Sequence, residues 1–258
     1  MTGVFDTTVA HPARIYDYWL GGKDNYAADA EQAIAANPGI LADVRANRAF
    51  LARAVSYLSA ECGIRQFLDI GTGLPTANNI HEVAQSVAPD SRIVHVDNDP
   101  IVLLHARELL TSSPQGATDY LDADLRETSQ ILEAAARTLD FSKPAAVMML
   151  IVLHLIPDSD DPFGLVTGLM DSLAPGSYLV ISHAASDVRP AAMAEMTRRV
   201  NARLGPSRAA MRDRAQIMRF FDGLQLVEPG IVQPHRWRPA GPVPGTDVTA
   251  WCGVARKP

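Results

Sequence analysis

Gln66-Phe67-Leu68-Asp69-Ile70-Gly71-Thr72-Gly73 is the stretch on which the fold turns. A β-rich apolar run leads straight into a turn with two glycines, which lets backbone approach a ligand without Cβ interference. Outward from it the same kind of run recurs as RIVHVD (92–97), TDYL (118–121), AAVMMLIVL (145–153) and SYLVISH (177–183). Helix-period segments lie between the runs. After Asn79 the apolar stripe is Ile80, Val83, Ala84 and Val87; after Asp99-Pro100 it is Val102, Leu103, Ala106, Leu109 and Leu110. Asp99 reads as an N-cap and Pro100 as a first helical residue. Strands alternating with helices predict βαβ units and a parallel sheet, with AAVMMLIVL as a central strand buried on both faces. Upstream, Leu41, Val44, Leu51, Val55 and Leu58 share one face of a helix over 40–60 that Cys62-Gly63 ends. Downstream, 190–221 reads as one or two helices with Met193, Met196, Val200 and Leu204 at helical spacing. Strands follow at 224–227 and 248–254, and the proline-rich stretch 229–244 between them reads as a long surface connection.

With 258 residues, 47% apolar and 20% charged, the composition is that of a globular chain able to bury a core without staples. A formal net charge of −6 argues against a large basic nucleic-acid surface. Cys62 and Cys252 are too few for a disulfide framework and have no metal-ligand spacing, so no metal is expected and a reducing compartment is the simplest reading. The N-terminus has no basic and then apolar signal pattern, and the longest apolar run, 145–153, is far short of the roughly 20 residues that span a bilayer. The expectation is a cytoplasmic protein with a small-molecule partner, no nucleic acid and no membrane. Nothing in the sequence sets an oligomeric state.

The chemistry gathers at the strand ends. Thr76 stands where G-x-G-x-x-G/A needs Gly or Ala, so the turn is an imperfect pyrophosphate clamp. The second strand ends in Asp97, 24 residues beyond Gly73, where a carboxylate can accept from both ribose hydroxyls. The third is followed by Asp122-Ala123-Asp124-Leu125, an acid placed to meet an adenine amino group beside apolar neighbours. Taken singly, each acid reads equally well as a helix cap or a solvated turn. The ordered set points to one nucleoside.

With FLDIGTG, VDNDP and DADL in this order, the segment 66–183 resembles the class I S-adenosylmethionine-dependent methyltransferases. Adding HPARIYDYWLGGKDNYAAD, RQFLDIGTGLPT, VDNDPIVLLHAR and PGSYLVISH, nearly the whole chain resembles one such family, formerly known as a domain of unknown function. The resemblance implies an α/β, Rossmann-like class I methyltransferase fold: a mostly parallel seven-stranded sheet with its last strand antiparallel, helices on both faces and an N-terminal helical cap. One domain is expected over 1–258: lid and helices to 62, cofactor core 63–183, acceptor-side helices and terminal strands 184–258. The resemblance also implies S-adenosylmethionine as cofactor, S-adenosylhomocysteine as product, and cofactor contacts at Gly71, Gly73, Asp97, Asn98 and Asp124. Asp69, Thr72, Leu125 and Leu150 complete the candidate set.

Residues 13–26 place four aromatics beside Gly21-Gly22 in a chain that is 6% aromatic. They read as a lid over the cofactor, with Tyr16 or Tyr18 near the methionine end and Lys23, Asp24 or Asn25 fixing polar groups. The bland alternative is a hydrophobic clip. The fourth strand is expected to end at His154, a candidate general base; a structural histidine is the competing reading, and His183 has similar standing. Arg198, Arg199, Arg203, Arg208, Arg212, Arg214 and Arg219 read as a solvated helix face rather than an acidic-acceptor site. Three functions remain open at this level: methyl transfer to a small acceptor, a non-catalytic cofactor-binding regulatory module, and a nicotinamide-dependent oxidoreductase.

Overall fold

The computed structural model describes residues 12–21, 27–75, 78–100, 102, 112–203, 209–243 and 245–258. Helices α1 (Pro12–Trp19), α2 (Ala27–Ala36) and α3 (Ile40–Ala60) precede strand β1 (Gln66–Ile70). Then come α4 (Ile80–Val87), β2 (Arg92–Asp97), β3 (Ala117–Asp122), the helix Thr128–Ala135, β4 (Ala146–Leu150), the helix Pro162–Asp171 and β5 (Tyr178–Ala184). The helices Pro190–Arg203 and Arg214–Met218 and the strands β6 (Gln225–Leu226) and β7 (Ala250–Arg256) finish the chain. Local signals set several boundaries. The Asn79 backbone N–H donates to the Glu82 carboxylate at 2.8 Å at the start of α4, and Asp161 accepts from the Gly164 N–H at 3.1 Å ahead of Pro162.

The sheet order is β3-β2-β1-β4-β5-β7-β6, with β7 antiparallel to β5 and β6 and the other pairings parallel. Strand order reverses between β1 and β4, which opens a crevice at the carboxyl ends of these strands. Period-two alternation gives the sheet two apolar faces. Leu68, Ile70, Val94, Val96, Val147 and Met149 pack with Ile131 and Leu169 of the later helices. On the other face Phe67, Ile93, Ala146 and Met148 meet Phe50, Val55 and Leu58 of α3 and Ile80 of α4. A third cluster, Ala33, Ile40, Val44, Ala184, Met193 and Met196, packs the N-terminal helices against the end of β5 and the helix Pro190–Arg203.

Three expectations need correction. β4 stops at Leu150, short of His154: Ile151 takes a positive φ of 53° and a 3-10 turn follows at Leu153–Leu155. The α4 stripe is shifted, with Val87 41% exposed and His81 buried in its place, because the apolar face is completed by a histidine that has buried partners. The stretch 229–244 is not all surface. Ile231 is buried, Val232 bridges to Cys252, and Trp237 inserts fully between Phe50 and Tyr57 with ring centroids 5.4 and 5.8 Å away. Among the described residues, 190–221 holds two helices, Pro190–Arg203 and Arg214–Met218, within the one or two expected. Of the stripe after Pro100 only Val102, fully buried, lies within the described residues; Leu204 lies outside them.

Candidate active site

The two glycines of the turn answer different demands. Gly71, at φ +74°, donates its N–H to the Val96 carbonyl at 2.8 Å. A Cβ there would stand 2.5 Å from Val152 Cγ2, so the post-β4 segment is seated directly on the turn. Gly73, at φ +67°, has nothing within 4 Å of where a Cβ would be, and its N–H donates to Asp97 Oδ2 at 2.8 Å. An open backbone cradle beside a strand-end carboxylate fits the ribose and amino-acid parts of a nucleoside cofactor.

Asp97 is 7% exposed and also accepts from the Asp99 N–H at 2.9 Å. The Asn98 amide donates to Asp124 Oδ2 at 3.0 Å, and Arg126 holds the same carboxylate at 3.0 Å while reaching Asp160 at 2.7 Å. Leu125 is buried beside them. The ends of β1, β2 and β3 are thus tied together through the residues read as a nucleoside site. Leu150 is half-buried at the end of β4.

Asp69 and Thr72 belong to a layer beneath the turn. Asp69 Oδ2 and Thr72 Oγ1 lie 2.8 and 3.0 Å from His95 Nδ1, His95 Nε2 lies 3.2 Å from His81 Nδ1, and the His95 ring stacks on Tyr120. Asp69, His95 and Tyr120 stand side by side because they are register partners on β1, β2 and β3. Burial, reinforced by the neighbouring His95, pushes the His81 imidazole down to about 4, and burial with the Asp69 charge pushes the Tyr120 phenol up. Buried polar groups of this kind specify geometry when they are mutually bonded.

Helix α1 is fastened to the same strand ends. Arg14 meets both carboxylate oxygens of Asp99 at 3.3 Å, with Asp99 1% exposed. The Tyr16 hydroxyl accepts from Asn47 Nδ2 at 2.8 Å, and Asn47 Oδ1 accepts from Ser182 Oγ at 2.6 Å, beside the end of β4. Burial raises the Tyr16 phenol. Tyr18 turns the other way and donates to Glu31 at 3.1 Å on the exposed side, while Trp19 donates to the Ala30 carbonyl at 3.2 Å. Lys23, Asp24 and Asn25 lie outside the described residues.

His154 sits in the 3-10 turn after β4, and its buried Nδ1 has no hydrogen-bond partner among the described residues. Its ring centroid is 6.1 Å from that of His183. Burial, then the Arg212 charge, pushes His154 down to about 4; burial and His154 push His183 down as well. Both imidazoles are therefore neutral near pH 7. Arg212 is 2% exposed, against the solvated face expected for it. Its guanidinium donates to the Leu153 and Ile156 carbonyls and to His183 Nε2, each at 3.0 Å, and to Asp158 at 2.5 Å, and it lies against the rings of Phe163 and Phe220. Arg212 lies outside the helices Pro190–Arg203 and Arg214–Met218, and no local pattern in the sequence announces its burial. Arg198 and Arg199 do follow the expectation and pair with Glu195 at 2.8 and 2.6 Å.

A doubly wound sheet with this topology, its strand order reversing between β1 and β4, defines the class of fold: a mostly parallel α/β sheet with a crevice at its strand ends. The S-adenosyl methyltransferase family model matches residues 2–258, and the chain belongs to that family. It is an S-adenosylmethionine-dependent methyltransferase. Two solved structures are similar over almost their whole lengths. One is a DUF574 family protein from Streptomyces avermitilis MA-4680, 45% identical with a TM-score of 0.94, the match covering 98% of this chain and 99% of the other. The other is a putative methyltransferase from Thermobifida fusca YX, 40% identical with a TM-score of 0.89, covering 98% and 96%. The fold extends to more distant structures such as the N-methyltransferase NodS from Bradyrhizobium japonicum WM9 in complex with S-adenosyl-L-homocysteine, 18% identical with a TM-score of 0.52 over 84% of this chain and 88% of that one. No curated protein matches the sequence. Among the described residues no helix is long and apolar enough to cross a membrane.

Proposed function

We propose that this methyltransferase acts on a small-molecule acceptor, with Asp97 receiving the ribose hydroxyls, Asp124 and Leu125 flanking the adenine, and the Gly71–Gly73 turn taking the amino-acid portion. The observation that carries the reading is the tie between strand ends, Gly73 to Asp97 and Asn98 to Asp124, roofed by α1 through Arg14 and Asp99. A roof fastened by a buried ion pair favours a small acceptor over a polymer, and the acidic net charge of −6 favours it over nucleic acid. The cofactor supplies an electrophilic methyl on a sulfonium, so the protein's part is chiefly to align acceptor and methyl and to exclude water. His154, neutral and with an uncommitted buried Nδ1, is the group placed to take a proton from the acceptor. A cytoplasmic location fits the cysteine usage.

Parallel calorimetric titrations with S-adenosylmethionine, S-adenosylhomocysteine and NAD test the cofactor site. The first two bind saturably and NAD does not, and Asp97→Ala loses about 1–3 kcal/mol of cofactor affinity through the lost hydrogen bonds to a charged group; unchanged affinity removes Asp97 from the site. A metabolite panel then tests turnover. His154→Gln lowers methyl transfer while leaving S-adenosylhomocysteine affinity unchanged, whereas tight binding with no transfer to any acceptor makes the protein a binding module.

A further inference from the structure

The sheet has a second hollow, at the edge away from the crevice. Around the amino ends of β1, β2 and β5 lies a cleft of about 850 Å3, a size suited to a small molecule. Its floor is apolar and buried, with Ile64, Leu139 and Tyr178 beneath it. One wall is the connection from the helix Thr128–Ala135 to β4, and it is fastened to the strand starts. The Gln66 side-chain amide donates to the Asp140 carbonyl at 2.9 Å and accepts from the Asp140 N–H at 2.5 Å, and Arg92 Nε donates to the Thr138 carbonyl at 2.5 Å. The charge of the cleft runs against that of the chain. In a protein of net charge −6, Arg65, Arg92, Arg137, Lys143 and Arg256 line it against the carboxylates of Asp90 and Asp140. Arg65 meets Asp90 at 3.3 Å and Lys143 meets Asp140 at 3.0 Å. The other three arginines have no carboxylate partner among the described residues. Arg92 and Arg137 use only Nε on backbone carbonyls, those of Thr138 and Ala134. Arg256 ends β7 as the register partner of Tyr178, with Nη2 over Gly176, 3.6 Å from where a Cβ would stand.

We propose that this cleft binds a small organic diphosphate, with Arg92, Arg137 and Arg256 on the phosphates and the apolar floor beneath the organic part. A guanidinium fork meets two oxygens of a phosphate at once, and its Nη donors serve even where Nε is already bonded. A diphosphate brings several negative charges on neighbouring oxygens, which answers the surplus of cations over carboxylates. An inorganic ion would leave the floor of Ile64, Leu139 and Tyr178 without a partner. The buried floor and the wall tied down by Gln66 and Arg92 make a preformed hollow for a small molecule rather than a flat surface for a macromolecule. The cleft lies at the opposite edge of the sheet from Asp97 and Asp124, so the inference stands apart from the cofactor reading.

The test uses the full chain and uridine diphosphate as the probe, with pyrophosphate and uridine as its two parts, in calorimetric titrations with and without S-adenosylhomocysteine. Uridine diphosphate binds at one site in both conditions and more tightly than either part, and its affinity falls with added salt. Arg137→Gln combined with Arg256→Gln, both exposed side chains, weakens it about 10-fold or more through lost charge-assisted hydrogen bonds; each single variant loses part of this and serves if the pair does not fold. Cys62, half-buried in the wall, gives a local readout: uridine diphosphate slows its alkylation by iodoacetamide, while Cys252 is fully buried. Four results overturn the inference: no binding of uridine diphosphate at millimolar concentration, binding abolished by S-adenosylhomocysteine, affinity indifferent to the arginine variants, or Cys62 alkylated at the same rate with the probe bound. Pyrophosphate binding as tightly as uridine diphosphate overturns the organic part of it.

Discussion

Gly71 and Gly73 look alike in the sequence and differ in the fold. Both hold positive φ, which costs an L residue roughly 1–2 kcal/mol. Only Gly71 has Val152 where a Cβ would go. Gly71→Ala is expected to destabilise the protein by about 2–5 kcal/mol, strain plus overpacking, and Gly73→Ala by about 1–2 kcal/mol, both read by denaturant unfolding; equal losses would show that the post-β4 segment yields freely. Asp97 was legible because it closes an apolar run, and Asp124 because it follows one within two residues of the strand end. The Asp69 carboxylate pairs with His95, a partner set by strand register, which no local pattern encodes.

The segment after β4 is an element held from outside. Arg212 fastens it through the Leu153 and Ile156 carbonyls, and Val152 in turn rests on Gly71. Arg212→Met removes the guanidinium from the Ile156 carbonyl and from the Leu153 carbonyl, which keeps the Ile156 N–H at 3.2 Å, and is expected to cost about 1–3 kcal/mol; Asp158, 69% exposed, stays solvated and adds little. A loss below 1 kcal/mol in urea unfolding would mean that water replaces the guanidinium. The histidines beneath the glycine turn and in the post-β4 segment are expected to make the fold acid-sensitive. His81 and His154 titrate near 4 in the folded chain and near 6.5 when unfolded. Between those values the unfolded chain binds more protons, so stability is full above about pH 6.5 and falls as pH drops toward 4. Thermal melting across that range is expected to show the fall, and His154→Gln to lessen it while the His81 and His183 parts remain; a flat wild-type profile would place these imidazoles in water.

Across the whole molecule, the cap and the sheet are joined at the strand ends by Arg14 and Asp99. Removing Arg14 takes from the buried Asp99 the guanidinium that meets both its oxygens, so Arg14→Ala is expected to cost about 3–5 kcal/mol. Hydrogen exchange should then rise in 12–21 above all; an increase spread evenly over the sheet would deny the cap a local role. S-adenosylhomocysteine at 100 times its dissociation constant should return about 2.7 kcal/mol by mass action. The sequence by itself determined the class of fold, the order of strands and helices and the acids at the strand ends, because hydrophobic period and turn chemistry are local properties of a chain. It could not reveal that Trp237 plugs the core from a proline-rich stretch, that Arg212 is buried, that β4 ends at Leu150, or that Tyr16 faces inward while Tyr18 faces Glu31. Those outcomes depend on which distant surfaces meet. The tertiary structure decided them by bringing together groups far apart in the chain, where burial makes an unpaired polar atom costly and so selects its partner.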